Sequence, residues 1–469
     1  MKPLIRRAAG MVLVVSLAGC ASFSDDAGFG AVQRATRDQL ALDVQWTRDD
    51  EARQRNAERV AKLLATPLSA DAAVQVALLN NRGLQASFAE LGIAEADLVQ
   101  AGRLPNPGFG IARLRRDTET EIERSIHFNL ARLILAPKLT ELERRRFERT
   151  QRAVAMETLA LAAETRKAYY RAVAAEEGVR YQRKVRAAAE ASAELARRMA
   201  NVGNFNRLQQ AREHGFYADA ALGFARAEQH MRATRERLIR LMGLWGSQTA
   251  FRLPERLPDL PKAARELPDV ERQAMSRRLD LAAARIDAEQ MAANLGLTRT
   301  TRFINVLELG AVRNSSNQAS TQRGFELGFE LPLFDWGGAR VAKAEAIYMQ
   351  AVDRAAQIAI DARSEVREAY TGYRAAFDIA RHYRDEIVPT RQRIAEENLL
   401  RYNGMLIGVF ELLADARMQI ASVSAYIESL RDFWIAHADL DMALVGKPSL
   451  SAASGGGTTP TAPADAGGH

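Results

Sequence analysis

Cysteine is nearly absent from this chain, since Cys20 is the single cysteine among 469 residues. One thiol cannot close an internal disulfide or build a cysteine-ligated metal cluster. Histidine is almost as scarce, and its six occurrences include no pair at the spacing of metal ligands. The sequence therefore predicts a protein without a metal site and without a cofactor.

Enzyme motifs are missing as well. Gly108 and Gly110 lack the third glycine of a dinucleotide-binding loop, and Gly337 with Gly338 lacks the further glycines and the lysine of a phosphate-binding loop. No hydrolase motif stands out. We therefore expect that the chain is not an enzyme.

A strong charge of one sign is also lacking. Although the pI is about 9.6, the 65 basic residues nearly balance the 58 acidic ones. The arginines alternate with glutamates along helical stretches and form no dense basic block. This pattern is typical of solvated helix faces and argues against nucleic-acid binding.

The N-terminus has the pattern of an export signal. Three basic residues precede an apolar run that is too short to span a bilayer and ends in Leu-Ala-Gly-Cys. We predict that residues 1–19 are a signal peptide. The Leu-Ala-Gly-Cys sequence resembles a bacterial lipobox, which implies acylation of Cys20. Ala21 and Ser22 directly follow Cys20, in place of an aspartate that would resemble an inner-membrane retention signal, which favours delivery to the outer membrane.

Helix-breaking residues are few and grouped together. Between Pro137 and Asn201 the only glycine is Gly178, and residues 151–200 contain sixteen alanines. This composition predicts one helix of roughly 67 residues, or ~100 Å at 1.5 Å per residue. The helix should turn at Gly203 and Asn204 and return to about residue 244.

The same plan occurs a second time. A helix begins near Gly338, is interrupted at Pro389, turns at Gly404 and returns to about residue 445. In each half, one long helix matches the summed length of two shorter ones, so it could pack against them as a left-handed coiled coil.

The duplication predicts the domain organisation. We expect a lipid-anchored N-terminal strap at residues 20–66, a first repeat at 67–250 and a second repeat at 251–446. Residues 447–469, which are mostly Ser, Gly, Thr, Ala and Pro, should form a flexible tail.

Each repeat also contains a pair of candidate strands, near 107–134 and near 302–334. The clearest runs from Phe325 to Leu333, where apolar residues alternate with Glu326, Gly328 and Glu330. Such alternation fits membrane barrel strands or half-buried strands of a soluble sheet. Four strands leave two open edges, and two, three or four copies of the chain could close them.

Several short sequences, in this order, match a known family. They are Ala77, Leu78, Asn80 and Asn81, then Arg-Leu-Pro-Asn-Pro at 103–107, then Leu-Pro-Leu-Phe-Asp-Trp-Gly-Gly at 331–338. With the doubled glycine turns, they resemble the TolC-like outer-membrane efflux family over about residues 67–446. The resemblance implies a mainly α fold with a membrane β-barrel. Three chains would build a 12-stranded barrel and a 12-helix periplasmic tunnel.

The resemblance also implies a function and partners. The homotrimer would be the exit duct of a tripartite efflux pump, anchored at Cys20 in the outer membrane and extending into the periplasm. Its partners would be outer-membrane lipid, a periplasmic adaptor protein and an inner-membrane transporter, with the RND type as the first expectation. The transported substrate stays open.

Individual site residues follow from the family pattern. Gly203, Asn204, Gly404 and Met405 would form the periplasmic tip that contacts the adaptor. Tyr402 and Glu411 would surround the aperture, and Glu326 and Glu330 would line the barrel lumen. The sequence departs from better-known members at Ile407 and Ala414, where a gate arginine and an aspartate would stand.

Two alternatives stay open. The duct could serve a type I protein secretion system. The chain could also be a periplasmic coiled-coil adaptor or scaffold lipoprotein, which should contain one helical hairpin and a glycine-rich β half.

Overall fold

The computed structural model describes residues 22–303 and 306–449. The predicted signal peptide, Cys20 and residues 450–469 lie outside the described residues.

The N-terminal strap contains two helices, α1 (Phe29–Leu40) and α2 (Asp50–Leu64). Asp49 caps α2 by accepting a hydrogen bond from the backbone N–H of Ala52. Phe29 of α1 packs edge-to-face on Phe88, with ring centroids 4.8 Å apart. The strap is therefore packed against the helical body by an apolar contact.

The first repeat is built on one long helix. It contains α3 (Ala70–Asn80), α4 (Arg82–Gly102), α5 (Leu130–Asn201) and α6 (Arg207–Met242). Helix α5 packs against α4 along one part of its length and against α6 along another. The predicted long helix and its pairing with shorter helices are confirmed, although α5 begins at Leu130 and includes Pro137 near its start.

The helical segment before the first strand is broken between α3 and α4. Asn81 leaves the helical conformation, with φ −67° and ψ 118°, and caps α4. The amide groups of Asn80 and Asn81 donate to backbone carbonyls of Leu241, Met242 and Gly243 at the end of α6. These bonds satisfy carbonyls that a helix end leaves without partners, which explains the break.

The second repeat has the same element order. It contains α7 (Val270–Arg277), α8 (Leu279–Thr301), α9 (Gly338–His382), α10 (Val388–Asn403) and α11 (Val409–Ala443). A π-helical turn at Tyr383–Ile387 joins α9 to α10, just before the predicted interruption at Pro389.

Arg278 breaks the second repeat at the position equivalent to Asn81, between α7 and α8. Its buried guanidinium contacts the carboxylates of Asp280 and Glu365 at 2.6 and 2.7 Å. The backbone N–H of Leu279 donates to the carbonyl of Val445 at the end of α11. The two halves therefore make the same joint with different side chains.

Four antiparallel strands form one sheet in the order β1-β2-β3-β4. Their bounds are Gly108–Arg116, Glu119–Asn129, Leu307–Ser316 and Gln322–Phe329. The last strand ends earlier than the alternation predicted, because the chain turns beyond Phe329, with the N–H of Leu333 donating to the carbonyl of Leu331. All flanking helices join the sheet at one end, and both hairpin turns lie at the other.

The main apolar core lies midway along the helices, where both repeats meet. Tyr373, Phe377 and Phe433 pack there with ring centroids 5.5 to 5.8 Å apart. Among the described residues, none of the helices combines the length and apolarity needed to cross a bilayer.

Candidate functional site: the four-stranded sheet and the helical tip

One face of the sheet, here called the apolar face, carries most of its large hydrophobic side chains. Residues paired across neighbouring strands lie on the same face of the sheet, and along one strand every second residue lies on that face. Its hydrophobic members are Phe109, Ile111, Ile122, Ile126, Phe128, Leu307, Leu309, Ala311, Phe325, Leu327 and Phe329. Phe325 is 83% exposed and Phe109 is 68% exposed. In one copy, nothing among the described residues covers this surface.

The opposite face, here called the acidic face, carries every carboxylate of the four strands. These residues are Glu119, Glu121, Glu123, Glu308 and Glu326. Glu326, which the sequence predicts as a lumen residue, lies in register with Gly310 and His127. Glu330 lies one residue beyond β4. The other four glutamates were not predicted as lumen residues, although their alternation with other residues in β2 and β3 already places them on one face.

Glycine at 310 makes room for a histidine on the acidic face. A Cβ at this position would lie 2.8 Å from Nδ1 of His127. The other ring nitrogen, Nε2, lies 2.8 Å from the Ser125 hydroxyl. Gly310 of β3 therefore leaves space for the imidazole ring of His127 on β2.

The sheet has two free edges. Strands β1 and β4 each pair on one side only within the described chain. A free edge presents unpaired backbone N–H and C=O groups, which in a bilayer cost several kcal/mol each. A sheet with an exposed apolar face and free edges therefore needs neighbouring chains if it lies in lipid.

The first hairpin turn, between α5 and α6, is stabilised from both sides. Gly203 adopts φ +81°, and the next N–H, of Asn204, donates to the carbonyl of Met199 at 2.9 Å. Asn206 and Gln209 form a reciprocal capping box at the start of α6. Gly203 therefore occupies a conformation in which a side chain would be strained.

The second hairpin turn, between α10 and α11, differs in its left-handed residue. Met405 adopts φ +55°, whereas Gly404 has φ −82°, which any residue accepts. The N–H of Leu406 donates to the carbonyl of Arg401 at 2.9 Å, closing the helix end. Met405 is 93% exposed. This turn therefore presents an apolar side chain at its outermost point.

The predicted aperture residues are separate in one copy. Tyr402 lies in the last turn of α10 and is partly exposed, and Glu411 lies in the first turn of α11 and is exposed. Within residues 22–303 and 306–449, neither side chain has a hydrogen bond or an ion pair. Asp415 instead contacts the amide of Asn398 across the same hairpin.

An ion pair that sequence reasoning missed joins the two hairpins. Glu213 of α6 is 2% exposed, and its carboxylate accepts from Arg417 of α11 at 2.9 and 3.0 Å. The hydroxyl of Ser192 donates to the same carboxylate at 2.8 Å. The Arg417 guanidinium also lies 4.1 Å from the Phe216 ring centroid. This cluster ties the two repeats together near the tip.

A second buried ion pair joins the repeats near the core. Lys167 of α5 is 2% exposed, and its Nζ lies 2.8 Å from Asp439 of α11 and 2.6 Å from Glu164. Burial raises the pKa of Asp439 above its usual value. Burial acts the same way on Glu164, but the hydrogen bonds from Lys167 and Ser449 and the positive charges of Lys167 and Arg237 together outweigh it and lower that pKa.

No group of three or more His, Cys, Asp or Glu in the described part of the chain is arranged to hold a metal ion.

Comparison with known proteins gives a family match over part of the chain and solved structures of similar fold. Residues 270–430 match the outer membrane efflux protein family. The fold is similar to that of CusC, a transmembrane channel with 18% identity, a TM-score of 0.68 and coverage of 80% of this chain and 92% of that chain.

Two further structures have the same fold. The CmeC outer membrane channel of Campylobacter jejuni has 17% identity and a TM-score of 0.68, covering 82% of this chain and 85% of that chain. The open MtrE channel of Neisseria gonorrhoeae has 18% identity and a TM-score of 0.66, covering 80% and 88%. A search of curated proteins gives no match.

Proposed function

We propose that this chain, whose residues 270–430 match the outer membrane efflux protein family, forms the exit duct of a tripartite efflux pump. The family consists of channel proteins and not enzymes. The observation that carries the proposal is the four-stranded sheet with one exposed apolar face, one acidic face and two free edges. Such a sheet suits the wall of a water-filled barrel in lipid.

Three copies are the assembly that we propose. Strand β4 runs antiparallel to β1, so β4 of one copy can pair with β1 of the next and remove every edge. Three sheets give twelve strands, and the helices attached to one end of each sheet continue as a tunnel of twelve columns in the periplasm. The acidic face, including Glu326 and Glu330, would line the lumen.

The hairpin turns would form the periplasmic tip. Gly203, Asn204, Gly404 and Met405 are the proposed contacts with a periplasmic adaptor, which links the duct to an inner-membrane transporter of the RND type. Exposed apolar side chains at a loop are a common mark of a protein contact. Val202, Met405 and Leu406 are all strongly exposed there.

Tyr402 and Glu411 would surround the aperture. Three Glu411 carboxylates converging on the axis would repel anions until the aperture widens.

Acylation of Cys20 would anchor the strap to the outer membrane, which places the body of the protein in the periplasm.

The decisive experiment is reconstitution of the full-length protein. In mild detergent it should have a protein mass about three times that of one 51.7 kDa chain. In a planar bilayer it should conduct ions. A monomer without conductance would overturn the proposal and favour a scaffold.

A tip variant tests the adaptor contact. Met405→Asp should weaken binding of the adaptor about tenfold, because it places a charge in an apolar contact. Glu58→Gln, on the strap helix α2, is the matched surface control. Trimer mass and conductance should be unchanged in both variants, so equal binding by Met405→Asp would argue against a contact at this turn.

Drug efflux and type I protein secretion differ in cargo. Deletion of the gene should raise sensitivity to small toxic compounds if the duct serves efflux. Loss of a secreted protein without increased sensitivity would favour type I secretion.

A further inference from the structure

Five arginines lie on the apolar face of the sheet, at the end that carries the β-hairpin turns. They are Arg113, Arg115, Arg124, Arg313 and Arg323. No carboxylate of the four strands shares this face, since all five strand glutamates lie on the acidic face. None of the five arginines has an ion-pair partner among the described residues.

Three of these arginines stand side by side. In the register, Arg124 of β2 is opposite Arg313 of β3, which is opposite Arg323 of β4. Directly opposed residues have Cα atoms about 4.5–5.5 Å apart, and like charges at such positions are destabilising. Among the described residues, the one hydrogen bond in this row is from Arg124 to the Ser315 hydroxyl, at 3.2 Å. The arginine row therefore has unused donors and a repulsion that an anion would relieve.

The position of the row along the strands is equally informative. The next row toward the helices is Phe109, Ile126, Ala311 and Phe325, and these positions lie two residues, or about 7 Å, away. Further toward the helices the face continues with Phe128, Leu309 and Leu327. The arginines thus lie at the border of an apolar band, on the side opposite to the helices.

We infer that the arginine row binds the phosphate groups of a glycolipid in the outer leaflet of the outer membrane. The inference rests on the proposed function, because the apolar face must contact lipid and the helices must lie in the periplasm. The hairpin-turn end is then the outer surface, where the band meets charged headgroups. Guanidinium groups bind phosphate oxygens through paired hydrogen bonds, so adjacent arginines suit a multiply charged phosphoglycolipid.

The alternatives fit the row less well. An inner-leaflet phospholipid would meet the other border of the band, near the helices. A protein partner would have to displace lipid from the same face. A water-filled lumen is excluded for this row, because its neighbours on the face are Phe, Ile and Leu.

The test compares lipid binding by the full-length trimer in detergent. The probes are diphosphorylated lipid A, monophosphorylated lipid A and phosphatidylcholine, with binding followed by native mass spectrometry. The variant is Arg124→Gln/Arg313→Gln/Arg323→Gln. Its control, Arg212→Gln/Arg226→Gln/Arg232→Gln, removes three exposed arginines from α6 that also have no ion-pair partner in the part of the chain that the structure describes.

The wild type and the control should prefer lipid A with two phosphates over lipid A with one, and should bind phosphatidylcholine weakly. The triple variant should bind diphosphorylated lipid A at least tenfold more weakly. If the triple variant fails to assemble, Arg313→Gln alone, at the centre of the row, should reduce binding about threefold. Equal binding by wild type and variants, or no preference for phosphate, would overturn the inference.

Conductance separates this outcome from failure of the proposed function. A conducting trimer whose lipid binding ignores the arginines refutes only the lipid inference. A protein that neither trimerises nor conducts refutes the proposed duct itself.

Discussion

Residues 325 and 326 are neighbours in β4 whose side chains point to opposite faces of the sheet. Phe325 lies on the apolar face and Glu326 on the acidic face. Substitution by lysine should therefore impair assembly at one of these positions and not at the other, and this difference shows which face meets lipid.

Phe325→Lys should impair assembly, because a lysine facing lipid costs from about 0–1 kcal/mol at the membrane border to about 2–4 kcal/mol at the midplane, in each of three copies, and Phe325 lies one row inside the border. Glu326→Lys should assemble normally, since its side chain faces water. Heat-modifiable mobility on gels and the yield of membrane-inserted trimer are the measurements. Equal loss in both variants would contradict the assignment of the faces.

His437 gives the helical body a pH dependence. Burial lowers its pKa below 6.5, with Asp441 opposing this effect and Arg265 and Arg166 adding to it. The unfolded chain takes up a proton at higher pH than the folded chain, so stability falls as pH decreases through 6.5 toward the folded pKa.

The melting temperature should therefore fall between about pH 7.5 and pH 5.5. His437→Gln should show a smaller fall than wild type. His230→Gln removes an exposed histidine of α6 and should keep the wild-type dependence. The prediction is wrong if both variants follow the wild-type curve.

At the scale of elements, the contact between the two helical hairpins near the tip depends on the ion pair of Glu213 with Arg417. The pair joins residues 204 positions apart, and it links the first hairpin directly to the second. A change in this pair should therefore alter how the two hairpins move relative to each other, and so alter the aperture.

Glu213→Gln should destabilise the contact by about 2 kcal/mol, because it removes the charge that pairs with a partly buried guanidinium. Amide exchange should become faster in the tip-proximal turns of α6 and α11. Asp385→Asn, which removes an exposed surface ion pair with Arg384, should change exchange very little. Similar exchange in both variants would mean that the hairpins are held together by other contacts.

The sequence predicts the elements well where their signal is local. The long helix α5 follows from its alanine content and lack of proline, and the strand pairs follow from alternation. The breaks at Asn81 and Arg278 were missed, because they depend on contacts with helix ends about 160 residues away in sequence. The Glu213–Arg417 pair was missed for the same reason.

The candidate site shows a similar division. Alternation was sufficient to assign Glu326 to a polar face, but only the register of four strands shows that the carboxylates and the unpaired arginines lie on opposite faces. The second turn illustrates a finer limit, since Met405 and not Gly404 adopts the left-handed conformation. A glycine in the sequence does not by itself identify the residue that the turn strains.

For the whole molecule, the acidic face should determine ion selectivity. With carboxylates along the lumen, the channel should prefer cations, measured as a reversal potential across a salt gradient. Glu121→Gln/Glu123→Gln/Glu326→Gln should bring the permeability ratio closer to one. Asp50→Asn/Glu51→Gln/Glu58→Gln removes three charges from the strap helix α2 and should leave it unchanged.

The sheet has almost no interior within a single copy, since Gly310 is the one buried residue among its strand positions. The helices, by contrast, have extensive cores of their own. A newly exported subunit should therefore acquire its helical body first, while the strand segments gain a lasting structure only when sister subunits and lipid surround them. Maturation of the pore is then inseparable from its arrival at the membrane, and subunits waiting in the periplasm should be cut by proteases in these two segments before any other.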